Sequence, residues 1–378
     1  MKMKKVMALV LAGVMTASLA ACGGGSGSKT TEAPAGTTAA AQTEAAGGAT
    51  EAAKTEAAGG ETQAASSDTG IPDFPTGDVS GIKIGFAYRH GSNDTYMTTY
   101  YKHAAEYAKE KGLNLVLLDA VDDVTKQTQQ VQDLIQQQCD VIIIWPVNSE
   151  SSVAQAMQVQ AAGIPCMTAN TDVIADGDQY VTCYVGPSNF EEGYQTSQKA
   201  CEEMAANGVT GPRVLYIDGK SGQTTCDERK AGMLKAVEEA GGTFIDAQLS
   251  DGLREKAQQI TENWLVKYKT GDFDCIMTFD DNTCVGAYNA AKAAGRENEF
   301  PIYGAATGDA TIVEGYIAKG LLGYMALQSP LIDSESAINM AANIALGYKP
   351  SQQKYFIETP IINKDNVADL YVSWADAE

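Results

Sequence analysis

From residue 81 onward, short β-branched apolar runs alternate with longer stretches in which apolar residues return every three or four positions. The runs fall at 82–88, 114–119, 141–147, 164–170 and 180–186. Between the first two, Tyr101, Ala104, Ala105 and Ala108 mark one face of a helix that Lys111-Gly112 ends. Runs that are apolar throughout suit strands covered on both faces, and the helices between them suit the crossovers of a parallel sheet. The pattern then starts again, with strands expected at 213–218, 243–247, 275–280, 301–305 and 323–328 and helices at 223–240, 256–269, 285–294 and 310–319. A last helix at 332–346 and an extended segment at 355–362 follow. The fold class is therefore α/β, with two doubly wound parallel sheets in tandem. Such an arrangement turns the carboxyl ends of both strand sets toward a shared cleft, where open α/β sheets bind ligands.

Ahead of residue 81 this pattern is absent. Residues 1–21 read as an export signal, with Lys2, Lys4 and Lys5 before an apolar stretch from Val6 to Leu19 that is too short to span a bilayer comfortably. Leu19-Ala20-Ala21-Cys22 resembles the bacterial lipobox, whose small residues suit the signal peptidase and whose cysteine thiol takes the diacylglycerol. Lipidation of Cys22 would supply several acyl chains, enough for stable anchoring. Residues 22–80 are mostly Ala, Gly, Thr, Ser and Glu, with Thr43-Glu44-Ala45-Ala46-Gly47-Gly48 nearly repeated at Thr55-Glu56-Ala57-Ala58-Gly59-Gly60. Large apolar side chains are too few there to offset the entropy of ordering. The expectation is a disordered tether with a span on the order of 40 Å, lifting the folded part off the membrane.

Charge and chemistry narrow the function. The formal charge of −21, without a run of Lys or Arg, argues against nucleic-acid binding. Seven cysteines remain after Cys22, at 139, 166, 183, 201, 226, 275 and 284, without CxxC or Cys/His ligand spacing. They read as small core residues, a single disulfide remaining open, and they offer no metal site. Only His90 and His103 are available as bases, and neither a GxSxG nor a P-loop occurs, so an enzyme lacks its chemistry and no cofactor is called for.

Several segments together carry a family resemblance: Gly85-Phe86-Ala87-Tyr88 with Tyr96-Met97 beyond it, Leu117-Leu118-Asp119-Ala120, the run Gln129-Gln130-Val131-Gln132-Asp133-Leu134-Ile135, Ile143-Ile144-Trp145-Pro146, Ala162-Gly163-Ile164-Pro165, Asp227-Glu228-Arg229, and Phe279-Asp280-Asp281 before Gly286-Ala287. In this order and spacing the chain resembles the type I periplasmic binding proteins of the ribose-binding group, over residues 81–362. The resemblance implies two lobes joined by a three-crossing hinge near Pro187-Ser188, Gln328-Ser329 and Ile357-Glu358, with one lobe formed by 81–187 plus 329–357 and the other by 188–328 plus 358–378. It also implies an extracytoplasmic, membrane-anchored monomer that closes on a monosaccharide or polyol and hands it to the permease subunits of an ABC transporter. A sensory receptor presenting a sugar, an autoinducer-like molecule or an amine to a kinase or chemoreceptor is the alternative.

Sugar recognition uses planar acceptors and amides for neighbouring hydroxyls and aromatic faces for the C–H side of the ring. Matched to the family, Asp94 stands where an Asn reaches the ligand and Tyr96 where a Phe packs on it; Asp94 also suits the N-cap of the following helix. Asn170 takes the Asp position of an Asp-Arg pair in ribose-binding relatives, and Asp172 brings a carboxylate two residues later. In the second lobe Asp227 matches a sugar-contacting Arg, Asp280 a hydroxyl-binding Asn, and Gln328 a hinge Gln, whereas a family Asp falls on Ala306, with Asp309 as its possible replacement. Asp281 reads as the N-cap of its helix, and Trp145 as an aromatic surface that stacks on the ligand or floors the cleft. A set so acidic and so poor in arginine disfavours phosphates and carboxylates and suits a neutral polyol or a cation. Without the pair's Arg after Asn170, ribose itself is not the expected ligand.

Overall fold

The structure is a computed structural model and describes residues 69–92 and 94–371. The export signal, Cys22, most of the expected tether and residues 372–378 lie outside the described residues.

In chain order the first lobe runs β1 (Lys83–Tyr88), α1 (Thr95–Glu110), β2 (Asn114–Asp119), α2 (Val124–Gln136), β3 (Val141–Ile144), α3 (Ser151–Ala161), β4 (Cys166–Ala169) and β5 (Cys183–Pro187). The second continues with α4 (Asn189–Ala206), β6 (Arg213–Asp218), α5 (Thr224–Glu239), β7 (Thr243–Leu249), α6 (Arg254–Lys267), β8 (Cys275–Thr278), α7 (Asp281–Ala293), β9 (Ile302–Gly304), β10 (Ala306–Thr307), α8 (Ala310–Ile312) and β11 (Met325–Leu327). The chain then returns through α9 (Pro330–Ala345) and β12 (Lys354–Ile357), followed by β13 (Ile361–Ile362) and a short helix, α10 (Val367–Leu370).

Sheet pairing assigns the returning segments. The first sheet has the order β12-β5-β4-β3-β1-β2 and is parallel throughout, so β12 joins the first lobe. The second has the order β7-β6-β8-β9, and a three-stranded sheet β10-β11-β13 carries the last strand antiparallel to β11. The extended segment expected at 355–362 is thus two strands in different sheets, broken at Glu358-Thr359-Pro360 because proline cannot donate to a ladder. The chain crosses between lobes after β5, after β11 and after β12.

Local chemistry sets the element ends. Asp94, Asp123, Ser188, Asp280, Asp309 and Ser329 each accept a hydrogen bond from a free N–H in the first turn of the helix that follows. Ser329 is followed by Pro330 at the first helical position, where the missing N–H costs nothing, so α9 starts two residues before the apolar pattern suggests. The helix expected at 310–319 is one α-turn followed by a π-turn at Val313–Ile317.

Each sheet is covered on both faces. Ile84, Phe86, Tyr88, Ile143, Tyr100 and Ala341 build one side of the first lobe, and Ala87, Leu134, Ile142 and Val159 the other. Leu215, Ile276, Trp264 and Val285 face Val214, Tyr216, Met233 and Met277 across the second sheet. All seven described cysteines are buried thiols. Among the described residues no helix is long and apolar enough to cross a membrane.

Residues ahead of 81 already pack against the first lobe. Ile71 and Phe74 pack on the first lobe's core, Val79 is buried in it, and Asn343 Nδ2 donates to the Asp73 carbonyl at 2.9 Å. The Phe74 ring meets Tyr107 edge-on at 6.2 Å, with the Lys111 ammonium 5.8 Å above it. Ile71-Pro72-Asp73-Phe74-Pro75 supplies the large apolar groups that the preceding residues lack. Phe74→Ala should lower stability by about 2 kcal/mol, below the cost in a full core because the ring is only half-buried. Urea denaturation checks this; an unchanged midpoint would show the segment to be loosely held.

Candidate functional site

A cavity of about 500 Å³ lies between the lobes. Its lining comes from strand ends and the turns that follow them: Arg89 after β1, Trp145 after β3, Asn170 after β4, Phe279 and Asp280 after β8, Thr307 to Asp309 at β10, and Gln328 after β11. This is where parallel sheets leave backbone groups and side chains unclaimed by the ladder.

The floor is aromatic. Trp145, almost fully buried, meets Tyr88, Tyr96 and Tyr100 at centroid distances of 4.9, 6.3 and 5.1 Å, and its Nε1–H donates to Thr171 Oγ1 at 3.2 Å. So fixed, Trp145 serves as the floor. Tyr96 stands at its edge, accepting from Asn170 Nδ2 at 2.9 Å and donating to Asp333 Oδ2 at 2.5 Å. Asn170 has a φ of 60°, in the left-handed region that Asn tolerates better than most residues, and its carbonyl accepts from Tyr184 Oη at 3.1 Å.

The other wall is charged. Arg229 donates to Glu192 Oε2 through Nη2 at 2.8 Å and Nε at 3.1 Å, and through Nη1 to the Phe279 carbonyl at 3.2 Å. Glu192 is fully buried and takes a further bond from Gln328 Nε2 at 2.9 Å. Burial pushes the Glu192 carboxyl up despite the guanidinium beside it. Asp280 accepts from the Thr283 N–H at 2.9 Å and its hydroxyl at 2.6 Å, capping α7. Asp281 instead reaches across to Thr307 Oγ1 at 2.7 Å and the Gly308 N–H at 3.3 Å. The N-cap expected at Asp281 is therefore Asp280, which lines the cavity as well. Burial raises the pKa of both, and the charge of Asp280 adds to the rise at Asp281.

Six of the eight expected side chains line the cavity: Asp94, Tyr96, Trp145, Asn170, Asp280 and Gln328. Asp94 does so while capping α1 through the Met97 N–H at 2.7 Å. Asp172 and Asp227 are not part of the lining. Asp172 is buried behind it, accepting from Thr168 Oγ1 at 2.6 Å and pairing with Lys354 at 3.1 Å. Asp227 is exposed on α5, and Thr225 and Arg229 of the same helix face the cavity in its place. The expectation of a cavity poor in cations also changes, because Arg89, Lys220 and Arg254 line it with Arg229. Arg89 pairs with Asp122 at 2.7 Å and Arg254 Nε donates to Asn282 at 2.8 Å.

The lobes also touch directly on the rim. Thr224 N–H donates to Ser149 Oγ at 3.0 Å, Thr224 Oγ1 to the Asp172 carbonyl at 3.0 Å, Ser149 N–H to the Gly222 carbonyl at 2.9 Å, and Thr171 and Thr225 hydroxyls meet at 2.9 Å. The conformation is therefore closed. Gly222, at φ +80°, lies so near Asn148 that a Cβ would overlap its amide, and a Cβ on Gly308 would overlap the Tyr96 ring.

Two tandem sheets, three crossings and a polar cleft between strand ends describe an architecture shared with known proteins, and the periplasmic binding protein domain model matches residues 84–349. The chain belongs to this family. The periplasmic binding protein domain family is one of binding proteins rather than enzymes, and its proteins work outside the cytoplasm. A putative rhizopine-binding protein of Rhizobium meliloti is 25% identical over 286 residues, 74% of this chain and 89% of that protein. The ribose import binding protein of Bacillus subtilis is 25% identical over 205 residues, 54% of this chain and 64% of its own length. Among solved structures, an ABC transporter solute binding protein from Bacillus halodurans with bound myo-inositol superposes with a TM-score of 0.69 at 23% identity, covering 78% of this chain and 99% of that one. As a periplasmic binding protein, the chain holds its ligand between lobes that close.

Proposed function

We propose that this chain is the substrate-binding protein of an ABC transporter and takes a monosaccharide or related polyol, with Tyr96, Trp145, Asn170, Arg229, Asp280 and Gln328 contacting it and Asp94 at the entrance. The observation that carries this reading is the composition of one enclosed cleft: an aromatic floor beside carboxylates, side-chain amides and guanidinium groups, the groups that grip vicinal hydroxyls. The ligands named for the relatives, rhizopine, ribose and myo-inositol, are of the same class. Ligand contacts to both lobes favour the closed form and shift the population toward it. Lipidation at Cys22 and a monomeric state complete the proposal; the export signal and lipobox support the first, and a site completed within one chain supports the second.

A thermal-shift screen of a fragment beginning at Thr69 tests it. Pentoses, hexoses, inositols, nucleosides and polyamines are compared, since a ligand that binds only the native state raises the midpoint, by about 2.7 kcal/mol of stabilisation at a hundredfold excess over Kd. A hit among sugars or polyols is expected. Hits confined to polyamines or nucleosides would overturn the ligand class, and globomycin-insensitive processing in cells would overturn the anchor.

A further inference from the structure

Asp333 does not line the cavity, yet it is tied to two residues that do. It lies in the first turn of α9, just beyond the second hinge crossing, and is 3% exposed. Its Oδ2 accepts from Tyr96 Oη, and Tyr96 Oη in turn accepts from Asn170 Nδ2. Its Oδ1 is buried without a hydrogen-bond partner. A buried carboxylate with an unsatisfied oxygen is costly and calls for a reason.

The direction of the protons along this chain has a consequence inside the cleft. While Asp333 is ionised, the Tyr96 hydroxyl must point its proton at Oδ2. Its oxygen can then only accept, so Asn170 must turn its NH2 toward it and leave Oδ1 for the ligand. A protonated Asp333 reverses the order. A proton on Oδ1 would find no acceptor, so it sits on Oδ2 and donates to Tyr96. The tyrosine proton is released toward Asn170, whose amide turns over and presents NH2 instead. The Asn170 backbone does not follow, because its carbonyl is held by Tyr184 and its N–H by the Val185 carbonyl at 3.1 Å.

The geometry points to Asp333 as a positioning residue for ligand binding: acting through Tyr96, it fixes which way the Asn170 amide faces, and hence whether that amide offers the ligand an acceptor or a donor. The inference deepens the reading of the cleft as a polyhydroxyl site and rests on it only in its binding arm. Burial raises the Asp333 carboxyl to about 7. The titratable and charged groups around it are Tyr96 and Tyr100 from α1, Tyr184 from β5 and Glu192 from α4. None of these is a cation, and Glu192 is engaged with Arg229. The change therefore falls near neutral pH.

The test uses the full-length chain, labelled with nitrogen-15, and follows the side-chain amide resonances of Asn170 from pH 5 to 9. In the wild type they are expected to move sigmoidally with a midpoint near 7. In Asp333→Asn they should stay at their low-pH position, because the substituted amide donates to Tyr96 at every pH. In Tyr96→Phe, which keeps the carboxyl but cuts the link, they should also stop responding; this variant carries the test if Asp333→Asn fails to fold. An unmoved Asn170 amide in the wild type, or the same titration in both variants, would overturn the inference. In parallel, D-ribose and myo-inositol affinities are measured by calorimetry at pH 6 and 8. A change of threefold or more in the wild type that is reduced in both variants supports the role; equal changes in all three proteins would sink it. Should neither probe bind the wild type, the polyol reading fails, while the amide titration still decides the role of Asp333.

Discussion

Gly308→Ala is expected to weaken ligand binding roughly 100-fold while leaving the ligand-free protein close to wild-type stability. Gly308 belongs to the second lobe and Tyr96 to the first, and in the closed form a Cβ at 308 would overlap ring atoms Cδ2, Cγ and Cε2. The ring cannot step aside. Its hydroxyl is held by Asp333 and Asn170, and its edge is packed against Tyr100 and Trp145. Alanine therefore collides with a fixed group, and only when the lobes meet. Its backbone is no obstacle, since Gly308 is not among the glycines at positive φ. A penalty confined to the closed state reduces the binding-competent fraction and so the apparent affinity, and 100-fold corresponds to about 2.7 kcal/mol. Calorimetry with the ligand found by the screen measures it, and small-angle scattering should show the variant staying open when ligand is added. Affinity within threefold of wild type, with normal compaction, would mean that closure does not bring Gly308 onto Tyr96.

Arg229→Met is expected to have the larger effect on stability. The guanidinium and the Glu192 carboxylate are both buried, and Glu192 is fully so. Removing the cation strands a charge in the interior, a change that typically costs about 3–5 kcal/mol. For a lobe of this size that is a fall of roughly 10 °C in the melting midpoint. Binding should be lost as well, because Arg229 lines the cavity and its Nη1 holds the Phe279 carbonyl next to Asp280. The pH dependence has a definite sign. Burial already raises the Glu192 pKa, and without Arg229 it rises further. The native state then holds a proton that the unfolded chain releases, so the variant loses stability as pH rises above the ordinary glutamate range toward that raised value. The deficit against wild type should be greater at pH 8 than at pH 5. A second variant, Arg229→Met with Glu192→Met, separates the two roles: replacing the whole pair by apolar groups should recover much of the stability but none of the affinity. Recovery of both would exclude Arg229 from the site.

Much of this molecule is legible in its amino-acid order. The alternation of apolar runs with helical periodicity locates the strands, and for β2 and β6 the ends agree to the residue; the central β6 is buried along most of its length, as a parallel strand covered on both faces must be. The N-capping Asp94 before α1 is equally local, since it satisfies the N–H three residues on, whereas at α7 the cap sits one residue earlier than its sequence suggests, at Asp280. The cleft's position follows from the same pattern, as the strand ends of both lobes must face one another.

Tertiary structure alone decided which side chains enter that cleft. Asp227 and Arg229 are two residues apart, about 200° around α5, so one meets solvent while the other meets Glu192. Thr225 and Arg229, four apart, share the inward face. That spacing was readable, but the phase of the helix against the sheet was not, because it depends on the packing of α5 on α4. Asp172 was lost in a similar way. The chain turns at the left-handed Asn170, and the carboxylate two residues on is carried behind the wall to Lys354, a residue 182 positions away that reaches it only because β12 pairs with β5. Periodicity is a property of neighbours in sequence and survives without the fold. A binding site is a property of neighbours in space, and in a protein whose chain crosses between lobes three times, those neighbours are set by the crossings.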